Sequence, residues 1–384
     1  MRERLLLLGD EGTGTLAAVR GLHAGGFETW LAVPERGVYA ARSRRVAGVL
    51  QVPDPLAGVQ AYVDAVAVLA RRLAVAAVLP ATEASLRALT GREQAFAPAV
   101  VATATEAALD RATEKSALAE LCRGAGLDVP ATAVVEADGS ASGPIRFPAV
   151  AKPVRTVEAA AGETLRHGEV HRVNGPGDVT RLLAEQALER VVLQEYLDGR
   201  LGAICGVAWR GRLVSAVHQE SIRIWPVGRG ISSYAVTIAR DGGLEEGVAR
   251  LLAAIGWSGV YAVQFIRRGG RAYVIDVNPR LYGSTALAVA AGHNLPAIWA
   301  ALVLGREPAI PAYRAGVRYR VEEDDLRALL AAVRAGRVGE ALRGAVPRPH
   351  TTHAVFSWQD PAPALVTLGK LVGRLRSGAQ AGLL

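Results

Sequence analysis

Lysine is scarce in this chain of 384 residues. Of 44 Lys and Arg residues only Lys115, Lys152 and Lys370 are lysines, and the other 41 are arginines. Met1 is the one methionine, aromatics make up 5%, and there are two cysteines. Cys122 and Cys205 are far apart and fit no metal-ligand spacing, so two buried thiols in a reducing compartment are expected. Long unbroken apolar runs are also missing. Leu5–Leu8 is too short for a signal-peptide core, and the apolar stretch from Ala286 to Leu304 is interrupted by Gly292, His293, Asn294 and Pro296. That stretch reads as two helices joined by a loop. The expectation is a cytoplasmic protein without a membrane partner.

What is present is a globular composition, 51% hydrophobic and 21% charged, which argues against disorder and coiled coil. The length suggests two or three domains. The formal net charge of +8 permits an anionic partner, but the arginines are scattered among Asp and Glu. No basic arm with interleaved aromatics occurs, so no nucleic-acid partner is expected.

Residues 1–103 alternate short apolar strands (Leu5–Leu8, Thr29–Val33, Val75–Leu79, Ala99–Ala102) with helical patterns, which predicts an α/β unit with a wound parallel sheet. The turn Gly9-Asp-Glu-Gly-Thr-Gly14 has the order Gly-x-x-Gly-x-Gly. A dinucleotide fingerprint has Gly-x-Gly-x-x-Gly, so a steric role in a βα turn is the better reading. Residues 104–130 read as a linker helix and 131–195 as a small α+β unit. Residues 196–310 read as a larger α+β unit, and 311–384 as an extension packed on the body. That extension ends in a basic amphipathic helix bearing Lys370, Arg374 and Arg376.

The segment Tyr261–Arg280 carries the chemistry. Two β-rich runs flank Gly269-Gly270, the pattern of a hairpin. Alternation puts Asp276 and Asn278 on one face and sends Tyr273, Ile275 and Val277 into the core. A turn centred on Gly270 sets Gln264 opposite Asp276. Three hard oxygen donors on rigid strands suit Mg²⁺, which binds few protein ligands and keeps waters or phosphates. Pro279 ends the strand and turns Arg280 toward the same patch, where a guanidinium can meet the charge of a transferring phosphoryl group.

Two other features are weaker singly. Val191–Gly199 runs from an apolar strand into Glu195-Tyr196-Leu197-Asp198, a connection whose backbone can face an adenine edge. Lys152 lies in the apolar strand Pro148-Ala-Val-Ala-Lys152, where an ammonium group needs an anionic partner such as a nucleotide phosphate. Lys115 opens a helical run.

Taken together these segments resemble the ATP-grasp superfamily of carboxylate–amine (or thiol) ligases. The resemblance covers nearly the whole chain and follows the family's order: a wound N-terminal domain, a small ATP lid and a larger domain with the metal site. It implies ATP and Mg²⁺ (Mn²⁺ as a substitute) as cofactors. Lys115 and Lys152 are implied at the phosphates, Glu195, Tyr196 and Leu197 at adenine, and Asp198 at ribose. Gln264, Asp276 and Asn278 are implied as metal ligands and Arg280 as the group stabilising the acyl-phosphate transition state. Pro80-Ala-Thr-Glu83 and Arg223-Ile-Trp-Pro226 resemble a branch of carboligases related to carbamoyl-phosphate synthetase domains. Two departures stand out. The region after the lid lysine, Val154 to Gly162, is poor in glycine, and Gln264 stands where the family often has an acid.

The implied reaction joins a small carboxylate to an amine, amino acids or peptides among them, through an acyl phosphate. A kinase on the same fold and a catalytically weak ATP-binding regulatory protein are the alternatives, and a homodimer is a candidate assembly. His218, Arg223, Arg229, Ser232, Tyr282 and Ser284 flank the expected acceptor cleft. Arg223 is the candidate for gripping the carboxylate, since its planar fork suits bidentate pairing. His218 is expected to be a satisfied strand histidine.

Overall fold

The leucines at 5, 6, 7 and 8 are all fully buried, as a central parallel strand covered on both faces requires. The computed structural model of the chain describes residues 2–159, 164–228, 230–367 and 369. The run lies in β1 (Arg4–Leu8), beside β2 (Glu28–Val33), β3 (Val46–Gln51), β4 (Ala77–Pro80) and β5 (Val100–Val101). They form a parallel sheet in the order β3-β2-β1-β4-β5. The helices α1 (Thr13–Ala24), α2 (Val59–Leu73) and α3 (Glu83–Leu89) make the crossovers. Leu5 and Leu7 pack in one core with Leu16 and Leu22 of α1, and Leu6 and Leu8 in another with Tyr62 and Val66 of α2. The strand at β3 has no counterpart in the sequence reading. Its side chains are mostly half-buried, and two arginines and a serine precede it, so its apolar signal is weak.

Two short helices follow, α4 (Glu106–Thr113) and α5 (Lys115–Gly124). A small sheet then forms from β6 (Thr132–Glu136), β7 (Ala149–Lys152), β10 (His171–Val173) and β11 (Arg190–Glu195). Its order is β10-β7-β11-β6, all antiparallel. The ribbon β8 (Val157–Ala159) with β9 (Leu165–His167) extends from it. Helix α6 (Pro176–Glu185) covers one face through Val179, Leu182 and Leu183.

The largest sheet has seven strands: β12 (Arg200–Trp209), β13 (Arg212–Trp225), β14 (Ile231–Thr237), β15 (Gly259–Arg268), β16 (Arg271–Asn278), β17 (Arg318–Arg320) and β18 (Thr351–His353). The order is β16-β15-β12-β13-β14-β17-β18. Helix α7 (Gly242–Ile255) covers one face together with α4 and α5. On the other face, α8 (Thr285–Ala291) and α9 (Leu295–Val303) pack between this sheet and α1. One apolar core therefore joins the first and third sheets. Helices α10 (Glu322–Arg334) and α11 (Val338–Ala345) complete the described body.

Helices α8 and α9 are bent by 92° at the Gly292–Asn294 break. Among the described residues no single helix is long and apolar enough to cross a membrane, although this bent pair meets the criterion by length and composition. Cys122 and Cys205 are buried free thiols, and burial pushes both up to about 12. The expected terminal helix begins at residues 362–367, while Lys370, Arg374 and Arg376 lie outside the described residues.

Candidate functional site

Gly269 (φ 57°) and Gly270 (φ 80°) are both left-handed, the requirement of a two-residue type I′ hairpin turn. Arg268 accordingly pairs with Arg271. Continued without change, that register would set Gln264 across from Ile275. A bulge adds one residue to β16 between the pairs Phe265–Val274 and Gln264–Asp276. From there Gln264 faces Asp276 and Ala262 faces Asn278. The bulge also corrects the expected core face. Val274 and Val277 are the buried pair, while Tyr273 and Ile275 are only half-buried, because one extra residue inverts the alternation on its turn side.

The polar patch is connected. Asn278 Nδ2 donates to Gln264 Oε1 at 3.3 Å, and Gln264 Nε2 donates to the Tyr282 hydroxyl at 2.6 Å. Arg280 donates to Asn278 Oδ1 at 3.4 Å and to the carbonyl of Leu281 at 3.1 Å. Lys115 Nζ, from the first residue of α5, stands 3.8 Å from Asp276 Oδ1 and donates to Thr156 Oγ1 at 2.6 Å. Lys152 Nζ, from the end of β7, donates to the carbonyl of Ile275 at 2.6 Å and to Gln194 Oε1 at 2.9 Å. Burial lowers Lys152 to about 8 even though Asp276 pulls the other way.

Among the described residues no group of three or more His, Cys, Asp and Glu side chains could hold a metal ion. The donor set at this patch is one carboxylate and two amide oxygens. Such a set fits Mg²⁺ whose coordination is completed by waters and phosphate oxygens rather than by the protein.

Between the small sheet and β16 lies a slot of about 10 Å³, walled by Leu118, Val129, Val192 and Val274 with Lys115 and Lys152 at its polar side. At its rim the N–H of Glu195 donates to the carbonyl of Ala131 and that of Tyr196 to the carbonyl of Pro148. Among the described residues no hydrogen bond engages the Leu197 N–H. Asp198 is exposed. In the glycine-poor region, Arg155 pairs with Glu114 at 2.7 Å, and residues 160–163 lie outside the described ones.

A cleft of about 400 Å³ opens on the other side of Arg280. Its walls are the Asp10–Thr15 turn, the Arg280–Ser284 loop, Ser232, Tyr319 and the Glu322–Asp324 start of α10. The glycine-rich turn docks here. Thr13 Oγ1 donates to the carbonyl of Gly283 at 2.9 Å, and a Cβ on Gly14 would sit 3.0 Å from the carbonyl oxygen of Tyr282. The glycine is needed for close approach of two chain segments, which supports the steric reading of the turn.

The structure brings Ser232, Tyr282 and Ser284 into the cleft wall. Ser232 and Ser221 share a short hydrogen bond, Ser284 bonds Gln219 at 2.7 and 2.9 Å, and burial raises the Tyr282 hydroxyl. Arg223 is elsewhere. Its Nε and one terminal nitrogen donate to the two oxygens of buried Asp325 at 2.6 and 2.9 Å, and its guanidinium lies over the ring of Tyr234. The fork expected to grip a substrate carboxylate already grips an internal one. His218 is wholly buried, bonded through Nε2 to Glu245 at 2.8 Å, and lowered chiefly by desolvation. Arg229 lies outside the described residues.

One residue of the neighbourhood was quoted in the sequence only as part of a motif. Glu83, the first residue of α3 after the Thr82 cap, is 5% exposed, and burial raises its carboxyl. The charges acting on it are Lys115, Arg280, Asp276 and Arg87. A charged residue three positions after the apolar strand β4 was the available signal.

Comparison with known proteins bears on this geometry. The family described as "ATP-grasp in the biosynthetic pathway with Ter operon" matches residues 187–325. No curated protein matches the chain in sequence. Several solved structures are similar in fold. The L-amino acid ligase from Bacillus licheniformis superposes with a TM-score of 0.59 at 14% identity, covering 79% of this chain and 74% of that one. N5-carboxyaminoimidazole synthetase from Staphylococcus aureus gives 0.60 at 14% identity over 81% and 79%. Biotin carboxylase from Campylobacter jejuni, in a complex described as beta-gamma-ATP, gives 0.60 at 14% identity over 82% and 74%. The chain has the ATP-grasp architecture: an N-terminal sheet domain, a lid and a C-terminal domain.

Proposed function

We propose that the protein is an ATP-dependent ligase that joins a carboxylate to an amine through an acyl phosphate, releasing ADP and phosphate. The observation that carries this reading is the cluster of Gln264, Asp276, Asn278, Arg280 and Lys115 on one patch, placed between the slot under the small sheet and an open cleft. The ATP-grasp architecture supports it, and the family described for residues 187–325 is an ATP-grasp family.

In this reading the base of ATP enters the slot under the small sheet, whose closed volume of about 10 Å³ requires the lid to lift. The Leu197 N–H is then the donor to the adenine edge, and exposed Asp198 is free for the ribose. Lys115 and Lys152 exchange Thr156, Gln194 and the Ile275 carbonyl for phosphate oxygens. Gln264, Asp276 and Asn278 would hold Mg²⁺, which neutralises phosphate charge when bound.

The chain's own contribution is positioning and charge stabilisation. A carboxylate seated at the Arg280 end of the cleft attacks the terminal phosphorus, and ADP leaves. Arg280 meets the charge that builds on the transferring group. The amine then attacks the acyl carbon, and phosphate leaves from the same arginine. The cleft of about 400 Å³ has room for a substrate of amino-acid or dipeptide size.

The test is a screen of amino acids and small carboxylates, singly and in pairs, with ATP and Mg²⁺. A ligase forms ADP, free phosphate and an amide in equal amounts. A phosphorylated acceptor in place of the amide would show a kinase, and no ADP with any pair would show a silent binder.

A further inference from the structure

We propose that Glu83 is a catalytic group of this ligase, which takes the proton from the attacking amine. The proposal rests on the ligase reading above.

Three observations lead to it. First, Glu83 is nine-tenths buried, yet its Oε1 makes no hydrogen bond among the described residues. A buried carboxylate oxygen without a donor is costly, and such orphans need an explanation. Second, basic groups are close and still do not pair with it. Lys115 leans to Asp276 and Thr156, and Arg280 to Asn278 and the Leu281 carbonyl. Arg87, on the same helix, bonds Asp110 and Thr113. These groups are the charges that act on the Glu83 carboxyl, and none of them bonds its Oε1.

Third, the topology singles out this position. In the order β3-β2-β1-β4-β5 the winding reverses between β1 and β4. Ligands of open wound sheets bind outside the carboxyl ends of the strands at that reversal. The end of β1 supplies the glycine-rich turn and the end of β4 supplies Ala81 and Glu83, so the turn and Ala81 both line the cleft beside Arg280. Glu83 lies two residues beyond Ala81, and Lys115, Arg280 and Asp276 of the patch act on its carboxyl.

The chemistry needs such a group. At neutral pH an amine is an ammonium ion and has no lone pair to donate. In the step assigned here the ammonium gives one proton to the Glu83 carboxylate. The freed lone pair forms the C–N bond, and the C–O bond to phosphorus breaks with its electron pair leaving on phosphate. The second N–H proton departs with phosphate as hydrogen phosphate. Other acids are near: Asp276 belongs to the metal patch, Asp10 Oδ1 accepts from the Gly12 N–H and the Thr15 hydroxyl, and Asp324 lines the cleft at the start of α10. Burial raises the Glu83 carboxyl, with Lys115, Arg280 and Arg87 opposing the rise and Asp276 adding to it.

Hydroxylamine provides the test because it is far less basic than an alkylamine and needs no base at neutral pH. The twenty amino acids are offered as carboxylates, each with itself as amine or with hydroxylamine, and the wild-type protein is compared with Glu83→Gln. The expected result is that the ratio of amide to hydroxamate falls about 100-fold in the variant. In the wild type the same ratio levels off once Glu83 is ionised, whereas in Glu83→Gln it keeps rising toward the pKa of the free amine. Taking the ratio cancels the titration of Lys152, which acts on both products. Equal loss of both products, or an unchanged ratio, overturns the assignment. If Glu83→Gln does not fold, the wild-type pH profile decides: a ratio that rises without levelling overturns it. Absence of hydroxamate from the wild type with every carboxylate overturns the ligase reading, and this proposal with it.

Discussion

Lys152 Nζ donates to the main-chain carbonyl of Ile275 at 2.6 Å, so the lid sheet is tied to the residue at which β16 bulges. The bulge therefore does two things. It brings Asp276 opposite Gln264, and it turns a strand carbonyl toward the lysine of the lid.

The state of Lys152 makes stability and nucleotide binding respond oppositely to pH. Its pKa is lowered from the ordinary lysine value of 10.5 to about 8 by burial. Between those values the unfolded chain holds the proton that the folded chain has released, so stability rises with pH across that window. Below about 8 the folded protein carries the full cost of a buried ammonium group. The proposed contact with an ATP phosphate needs that ammonium charged. The affinity for ATP is expected to weaken as pH rises through about 8 while the unfolding midpoint in denaturant climbs. Calorimetric titration beside denaturant melts would check both slopes, and parallel slopes would contradict the assignment.

Asp276 is the one carboxylate of the three-oxygen patch. Asp276→Ala should cut ADP formation by roughly 100-fold or more and raise the Mg²⁺ concentration needed for what remains, since the two amide oxygens carry no net charge. Arg280→Ala should reduce turnover similarly with little change in Mg²⁺ demand. Magnesium titrations of ADP release separate the two, and wild-type turnover in either variant would remove that residue from the site.

Arg223 is expected to matter for stability and not for substrate. Asp325 is 1% exposed and faces both Arg223 and Arg320, whose Nε is 3.0 Å from its second oxygen. Arg223→Ala leaves a buried carboxylate half-paired and should cost about 3 kcal/mol in denaturant unfolding. The KM for a carboxylate substrate should stay within about twofold, because 1.4 kcal/mol corresponds to a factor of ten and no such contact is lost.

Gly14→Val would press a branched side chain against the Tyr282 carbonyl, where even a Cβ sits at 3.0 Å. The loop Arg280–Ser284 must then shift. A loss of about 1–3 kcal/mol in thermal stability is expected, together with a higher KM for the cleft substrate and unaltered nucleotide affinity.

Much of this was legible in the sequence, and the reasons differ by element. The buried strands β1, β4 and β11 are apolar runs closed by Gly, Pro or polar residues, so composition marks them. The pairing of Gln264 with Asp276 was also readable, but for a reason that did not hold. A turn centred on Gly270 gives that pair, whereas the real turn spans Gly269 and Gly270 and the bulge restores the missing residue. Bulges leave no composition signal in a run as uniformly apolar as Tyr273–Ile275, and the inward face was misassigned for that reason. Arg223 could not be read because its partner, Asp325, is 102 residues away. Glu83 was visible as a motif, but its unpaired oxygen is a property of the packed interior.

The central claim is that a carboxylate oxygen attacks the terminal phosphorus of ATP. It is tested most directly by offering the best carboxylate of the screen labelled with oxygen-18 and following the label. One labelled oxygen per turnover should appear in the released phosphate, with ADP as the nucleotide product. Unlabelled phosphate, or AMP with pyrophosphate in place of ADP, would contradict it.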